Sequence, residues 1–149
     1  MHCENGIIDV SSNHSVDQTV DKLKSILQLK EITLFIVIDH SGEATKVGLE
    51  MRPTKLLIFG NPKAGTPPML ATPSIALDLP LKILVWEDSE GKVWLSYNSP
   101  DYLKERHGLP QDLVQHHRRE GLGYWRRRVA TWSSCFIISS LRDEVMKHI

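Results

Sequence analysis

Residues 33–60 read TLFIVIDHSGEATKVGLEMRPTKLLIFG, and this stretch decides the fold. It opens with a continuous β-branched and aromatic run, Thr33–Ile38, which is too short for a typical helix and is typical of a strand buried on both faces. A second apolar strand, Lys55–Phe59, stops at Gly60. We therefore expect Thr33–Ile38 to be a central strand, followed by a short helix capped by Ser41 within a crossover unit.

A helix and a hairpin are predicted on either side of this stretch. Ser15 and Gln18 have the spacing of a capping box, and apolar residues then recur at steps of three and four, which predicts an amphipathic helix over about Val16–Leu29. Further along the chain, Lys82–Trp86 and Lys92–Tyr97 flank a short polar segment. Two apolar runs separated in this way are typical of a β-hairpin.

The segment 61–80 between them contains five prolines, so we expect a long connection with at most short helical turns. In total the chain offers about five strands and three or four helices, joined by both hairpin and crossover connections. This mixture predicts a two-layer α+β domain with a mixed sheet of about five strands including a hairpin, and with helices packed mainly on one face.

The composition indicates an ordinary globular protein. The chain has 149 residues, of which 41% are hydrophobic and 24% are charged, and its formal net charge is zero. No overall field attracts nucleic acid, and two cysteines cannot form the disulfide framework of a small secreted domain. The sequence has no secretory segment and no run of about 18 apolar residues. We therefore expect a cytoplasmic protein without a membrane partner.

The charge is unevenly distributed and divides the chain into two parts. Residues 1–115 carry 11 Lys and Arg against 15 Asp and Glu, a net charge of −4, whereas residues 116–149 carry 7 against 3, a net charge of +4. The basic tail interleaves arginines with Tyr124 and Trp125, a composition that suits contact with unpaired bases. A solvated segment, or one that packs against the core or a second subunit, is favoured because no nucleic-acid fold motif accompanies the charge. A homodimer is one of the alternatives that the tail allows.

Several short runs follow one another in a specific order: Ile38-Asp39-His40, Gly48–Thr54, Phe59–Pro67, Asp78–Lys82, Trp86-Glu87-Asp88 and Tyr97-Asn98. In this joint order they resemble the domain of unknown function 302 family. The resemblance covers roughly Gly6–Leu109 and ends before His116, so we assign 1–115 to a family-like domain and 116–149 to a basic extension that does not resemble the family. It implies a compact α+β domain, often standing alone in bacterial and archaeal proteins, and no settled activity.

The best pocket candidate is the predicted loop Gly60–Met69. It is not a nucleotide phosphate loop, because Thr66 stands where that motif needs a lysine, and two following prolines remove backbone donors. Lys63 and Thr66 could instead offer polar contacts to a ligand. The alternative is a turn whose Gly and Pro residues only satisfy backbone geometry.

His40 is the candidate for proton transfer, since histidine is the residue type most often used as a general acid or base. The alternative is a hydrogen-bonded histidine at a strand end. The histidine and cysteine spacings contain no metal motif, and we expect neither a metal nor another cofactor.

Three hypotheses follow from these residues. The first is a small-molecule or anion-binding domain; the second is a small enzyme that uses His40 as an acid or base, with Glu50 as a partner; the third is a dimerising scaffold without chemistry. The pocket of the first hypothesis is expected to be built from Asp39, His40, Asn61, Lys63, Gly65 and Thr66.

Overall fold

The computed structural model describes residues 2–109 and Lys147. It confirms the α+β class: one sheet of six strands in the order β1-β2-β6-β5-β4-β3 is accompanied by four α-helices and a 3₁₀ helix. Each of the five strand pairings is antiparallel. The sheet is therefore purely antiparallel, whereas the sequence predicts a mixed sheet. The strands are β1 (His2–Glu4), β2 (Ile7–Ser12), β3 (Thr33–Asp39), β4 (Thr54–Gly60), β5 (Leu81–Glu87) and β6 (Val93–Asn98). The helices are α1 (Val16–Leu29), α2 (His40–Lys46), α3 (Pro62–Ala71), the 3₁₀ helix (Pro73–Leu77) and α4 (Pro100–His107).

Helix α1 forms as predicted and covers one face of the sheet. The Ser15 hydroxyl accepts from the Gln18 amide while the Gln18 side chain accepts from the Ser15 amide, which completes the capping box. Leu23 and Leu27 are essentially fully buried in the core cluster, and burial of each such side chain contributes about 1.5–3 kcal/mol. The predicted hairpin is also confirmed, since β5 and β6 pair directly.

The core lies between α1 and the inward-facing residues of the sheet. Along β5 and β6, every second side chain is buried and its neighbours are only half-buried, as expected for a sheet with one covered face. A buried hydrogen bond of 2.8 Å between the hydroxyls of Ser12 and Thr19 joins β2 to α1. This arrangement confirms that helix packing is concentrated on one face.

Strand β3 is at the edge of the sheet, so the prediction of a central strand is wrong. Among residues 2–109 it pairs with β4 alone, and Phe35 and Ile36 are 47% and 52% exposed. The register shifts between Leu34 and Ile36, where a bulge interrupts the ladder. Because β3 and β4 are antiparallel neighbours joined through α2, there is no crossover unit either.

The connection after β4 is more helical than predicted. Helix α3 begins with Pro62 at its first turn and continues through Pro67 and Pro68 for ten residues. Proline has no N–H, but its backbone φ is that of a helix, so the segment keeps its helical path while losing hydrogen bonds. The 3₁₀ helix then leads towards β5, and it contacts both α3 and α4.

Helix α4 closes the described part of the chain. The Ser99 hydroxyl accepts from the Tyr102 amide at its start, and Gly108 adopts a left-handed conformation (φ 58°) at its end. Leu103 inserts into the core, so the C-terminal turn of α4 is held beside the 3₁₀ helix. The predicted extension 116–149 lies outside the described residues, apart from Lys147.

Candidate functional site

Asp39, at the end of β3, is a helix cap rather than a free site residue. Its Oδ1 accepts from the Ser41 hydroxyl at 2.7 Å and from the Gly42 amide at 2.8 Å, and Lys55 Nζ lies 3.5 Å from Oδ2. The Ser41 hydrogen bond is the main cause that lowers the pKa of Asp39, followed by the hydrogen bond from the Gly42 amide. Burial opposes these two effects, and the nearby Lys55 charge adds a smaller lowering effect. Asp39, and not the predicted Ser41, therefore caps α2.

His40 is the first residue of α2 and is exposed. Within the part of the chain that the structure describes, it has no hydrogen-bond or ion-pair partner, and the neighbouring Asp39 carboxylate is directed at Ser41 instead. Glu50 is likewise exposed, in the irregular segment before β4. A general base needs an orienting partner, and His40 has none here.

The other four predicted site residues lie on α3 or directly before it, not in a loop. The Asn61 side chain accepts from the Lys63 amide at 3.0 Å, and the Thr66 hydroxyl donates to the Pro62 carbonyl at 2.8 Å. The Lys63 side chain is exposed, and Gly65 lies close to Met69 and Leu79. The polar groups of Asn61 and Thr66 are therefore used to build the helix.

The two groups of predicted site residues do not come together. Asp39 is opposite Lys55 at the start of β4, whereas Asn61 follows the end of the same strand. Asn61 lies six residue steps of extended chain beyond Lys55, a span of about 20 Å. The expectation that these six residues line one pocket is wrong, because the strands that carry them are antiparallel.

A different cluster, which the sequence interpretation missed, joins the 3₁₀ helix to the end of α4. His107 Nε2 lies 2.6 Å from Asp78 Oδ2, and His107 Nδ1 lies 3.0 Å from the Ser74 hydroxyl. The side chains of His107 and Asp78 are only 4% and 11% exposed, while Ser74 is exposed. We refer to Ser74, Asp78 and His107 as the serine–histidine–aspartate cluster.

Two cations flank this cluster. Arg106 Nη1 lies 3.3 Å from Asp78 Oδ2 and 3.4 Å from Oδ1. Lys82 Nζ donates to the backbone carbonyls of Asp78 and Pro80, each at 3.2 Å. The Asp78 carboxylate is therefore contacted by His107 and Arg106, and Lys82 binds the backbone carbonyls of Asp78 and Pro80.

Sequence signals for the cluster are weak. Ser74 and Asp78 are four residues apart, and His107 is 29 residues beyond Asp78, at a helix end where basic residues are common. No short motif links positions so far apart, and only the packing of α4 beside the 3₁₀ helix brings them together.

The described residues offer neither a membrane-spanning helix nor a metal-binding cluster. Residues 2–109 contain no helix with the length and apolar character that spanning a bilayer requires. The same residues, with Lys147, hold no group of three or more His, Cys, Asp or Glu side chains arranged to bind a metal ion.

Comparison with known proteins identifies a family. The model of a domain of unknown function, DUF302, matches residues 8–120, five residues beyond the boundary expected at Gln115. In crystal structures, an uncharacterized conserved protein DUF302 from Bacillus stearothermophilus is similar, with a TM-score of 0.69 and 15% identity over 94% of this chain and 95% of that one. At that identity, the likeness bears on the fold alone.

Curated relatives are longer proteins. "Fluoride-specific ion channel FluC 1" of Brucella suis biovar 1 (strain 1330) is 42% identical over 113 residues, which cover 74% of this chain and 44% of the relative. The protein of the same name from Brucella abortus biovar 1 (strain 9-941) is also 42% identical over 113 residues, covering 74% of this chain and 42% of the relative. The chain thus spans less than half the length of these relatives.

Proposed function

The chain belongs to the DUF302 family, whose function is unknown, and we propose that it is a small-molecule-binding domain that holds an anionic group of its ligand beside the serine–histidine–aspartate cluster. The observation that carries this proposal is the convergence of Ser74, Asp78 and His107 with the guanidinium of Arg106. The ligand class is the one expected from the sequence, but its site is moved from the Asp39 and Asn61 ends of the sheet to the junction of the 3₁₀ helix and α4.

Arg106 supplies the main anion-binding group. Its side chain is 46% exposed, and only Nη1 contacts Asp78. A guanidinium has five N–H donors in a planar fork, so the remaining ones are available to a carboxylate or phosphate oxygen. The exposed Ser74 hydroxyl belongs to the same cluster and lies 3.0 Å from His107 Nδ1.

The local charge also favours an anion. Arg106 and Lys82 carry two positive charges against the single carboxylate of Asp78, an excess of +1, whereas residues 1–115 together carry −4. A positive site on a negative domain is a local attraction that the zero net charge of the chain conceals. The Brucella relatives are named for a channel of an anion, fluoride, which makes fluoride one of the anions worth assaying.

The test is a titration with small anions followed by NMR of the backbone amides. Acetate, phosphate and fluoride are added separately, and the shifts at residues 74–78 and 104–108 are followed. Arg106→Gln should weaken binding about tenfold, since a hydrogen bond to a charged group is worth about 1.5–3 kcal/mol. Arg52→Gln is the matched control, because Arg52 is 55% exposed and lies 3.8 Å from Glu87 in a similar weak pair. Equal weakening by both variants would leave only general screening and would contradict the site.

A second candidate function is the dimerising scaffold, which the exposed edge of the sheet favours. β3 presents an unpaired backbone edge within the described residues, and Phe35 and Ile36 are about half exposed on it. A free apolar edge is a template for pairing with another strand. Light scattering on the full chain and on Ile36→Lys tests this function, with a dimer for the former and a monomer for the latter as the expected result. A monomer in both cases removes the candidate.

A further inference from the structure

We propose that Ser74 is a nucleophile activated by His107, and that the ligand of the site is a small carboxylic ester with an anionic group. This inference deepens the proposed function and rests on it for the placement of the ligand. It is carried by the hydrogen-bonded order Ser74–His107–Asp78, in which the base contacts the nucleophile on one side and an orienting carboxylate on the other.

For a neutral His107 ring, the hydrogen bonds assign the tautomer. An ionised carboxylate can only accept, so the 2.6 Å contact with Asp78 Oδ2 places the ring proton on Nε2. In the neutral imidazole, Nδ1 is then an acceptor, and the Ser74 hydroxyl 3.0 Å away is its donor. This is the protonation state in which a histidine can remove a proton from a serine.

Burial separates the three roles. Asp78 and His107 are shielded, with 11% and 4% exposed side chains, so their contact is held in one geometry. Ser74 is exposed and can reach a substrate. His107 is therefore the base, Ser74 the nucleophile, and Asp78 a positioning residue that acts through His107.

The reaction is a balanced ester hydrolysis. Ser74 Oγ bonds to the carbonyl carbon as its proton passes to His107 Nδ1, and the carbon–oxygen bond to the leaving alcohol breaks as that proton passes to the alcohol oxygen. The acyl group then forms an ester with Ser74. Water attacks this ester, His107 Nδ1 takes the proton of the water, and it returns that proton to Ser74 as the free acid leaves. Water is the one co-reactant, and Arg106 holds the anionic group of the substrate.

Two other histidines among residues 2–109, His14 and His40, do not share this arrangement. His40 has no hydrogen-bond partner in that range, and His14 Nε2 contacts Lys22 Nζ at 2.9 Å. His107 therefore differs from these histidines in its contacts and not in its residue type. His40 is accordingly a matched control in the same chain.

The first experiment labels the full chain with a fluorophosphonate, which reacts with activated serines, and locates the label by tandem mass spectrometry. The label is expected on Ser74. Ser74→Ala should abolish it, and His107→Gln should slow it about 100-fold, the lower end of what a general base contributes. Ser89→Ala and His40→Gln change an exposed serine and an exposed histidine and should leave the rate unchanged. Labelling elsewhere, or at an equal rate in His107→Gln, overturns the proposal.

A second experiment measures the base directly and does not depend on the substrate. In Ser74→Cys the thiol faces His107 Nδ1 and should react with iodoacetamide at least about tenfold faster than the thiol of Ser89→Cys, because an adjacent imidazole raises the thiolate fraction. The excess should disappear when His107→Gln is added. Asp78→Asn should shift the pH profile of this alkylation, which a loss of packing alone does not do.

The outcomes separate this inference from the proposed function. If the anion titration succeeds and neither labelling nor enhanced alkylation occurs, the site binds anions and Ser74 is not a nucleophile. If Ser74 is labelled and Arg106→Gln has no effect on anion binding, the nucleophile stands and the anion site fails. Circular dichroism of each variant confirms that the fold is intact, and the Ser74→Cys comparison remains decisive if His107→Gln is destabilised.

Discussion

The coupling between Asp78 and His107 is the most direct quantitative test of how the candidate site is built. Both side chains are nearly buried, 2.6 Å apart, and a hydrogen bond to a charged group contributes about 1.5–3 kcal/mol. Removal of one partner leaves the other nearly buried without their mutual hydrogen bond, so Asp78→Ala and His107→Ala should each lower the free energy of unfolding. The double variant should cost less than their sum, with a coupling free energy of about 2 kcal/mol.

Urea unfolding of the wild type, the two single variants and the double variant measures this coupling. With an m-value of about 2 kcal/mol/M, it corresponds to a midpoint difference on the order of 1 M urea. The control is the pair Asp101–Lys104 on the same helix, whose contact is 2.8 Å but whose Asp101 side chain is 83% exposed. An exposed pair of this kind should couple by less than about 0.5 kcal/mol. Equal coupling in the two pairs would refute the reasoning, since it would mean that burial does not set the strength of the contact.

Two further predictions concern the elements around the sheet. Asp39→Ala removes the cap of α2 and should lower the free energy of unfolding by about 0.5–2 kcal/mol at neutral pH. Because the Ser41 hydroxyl first, then the Gly42 amide and the Lys55 charge, hold the pKa of Asp39 below its usual 3.8, this stability is present above pH 3.8 and is lost as pH falls through the folded value. The difference from wild type in urea unfolding should therefore shrink in acid, and a constant difference would contradict the role of the charge. Gly6→Ala should destabilise by more than about 1 kcal/mol in thermal unfolding, because Gly6 has φ +79° and a side chain there would overlap the Tyr102 ring; Gly91→Ala, with φ +78° and open space around it, should cost less.

Local signals made part of the fold predictable. The capping pair Ser15 and Gln18 and the spacing of apolar residues after them act within one helix, and α1 has the bounds that they indicate. By contrast, the apolar run of β3 does not specify its neighbours. A strand with a bulge and two half-exposed apolar residues at a sheet edge has the same composition as a buried central one, so the sequence could not distinguish them.

The prolines of α3 misled for a related reason. Pro67 and Pro68 lack the backbone N–H groups of two helical hydrogen bonds, which argues against a helix interior. The helix nevertheless continues through both prolines, and the Asn61 side chain caps its first turn. The segment that forms α3 is predicted to be a loop, and its residues Asn61, Lys63, Gly65 and Thr66 are predicted to share a pocket with Asp39 and His40. The antiparallel pairing of β3 and β4 instead places Asp39 opposite Lys55 at the start of β4, at the other end of that strand from Asn61.

The same topology explains why the cluster at Ser74, Asp78 and His107 could form without a sequence motif. Asp78 and Ser74 lie on the connection that precedes β5, and His107 ends the helix that follows β6. Because β5 and β6 are antiparallel, the end of β6 lies beside the start of β5, and the chain returns to the same end of these strands. Leu103 anchors α4 in the core one turn before His107, and the buried apolar contact fixes where the imidazole lies. Leu103→Ala should therefore displace His107 although Leu103 is not part of the cluster. The measurement is the rate at which the Ser74→Cys thiol reacts with iodoacetamide, which should fall when Leu103→Ala is added.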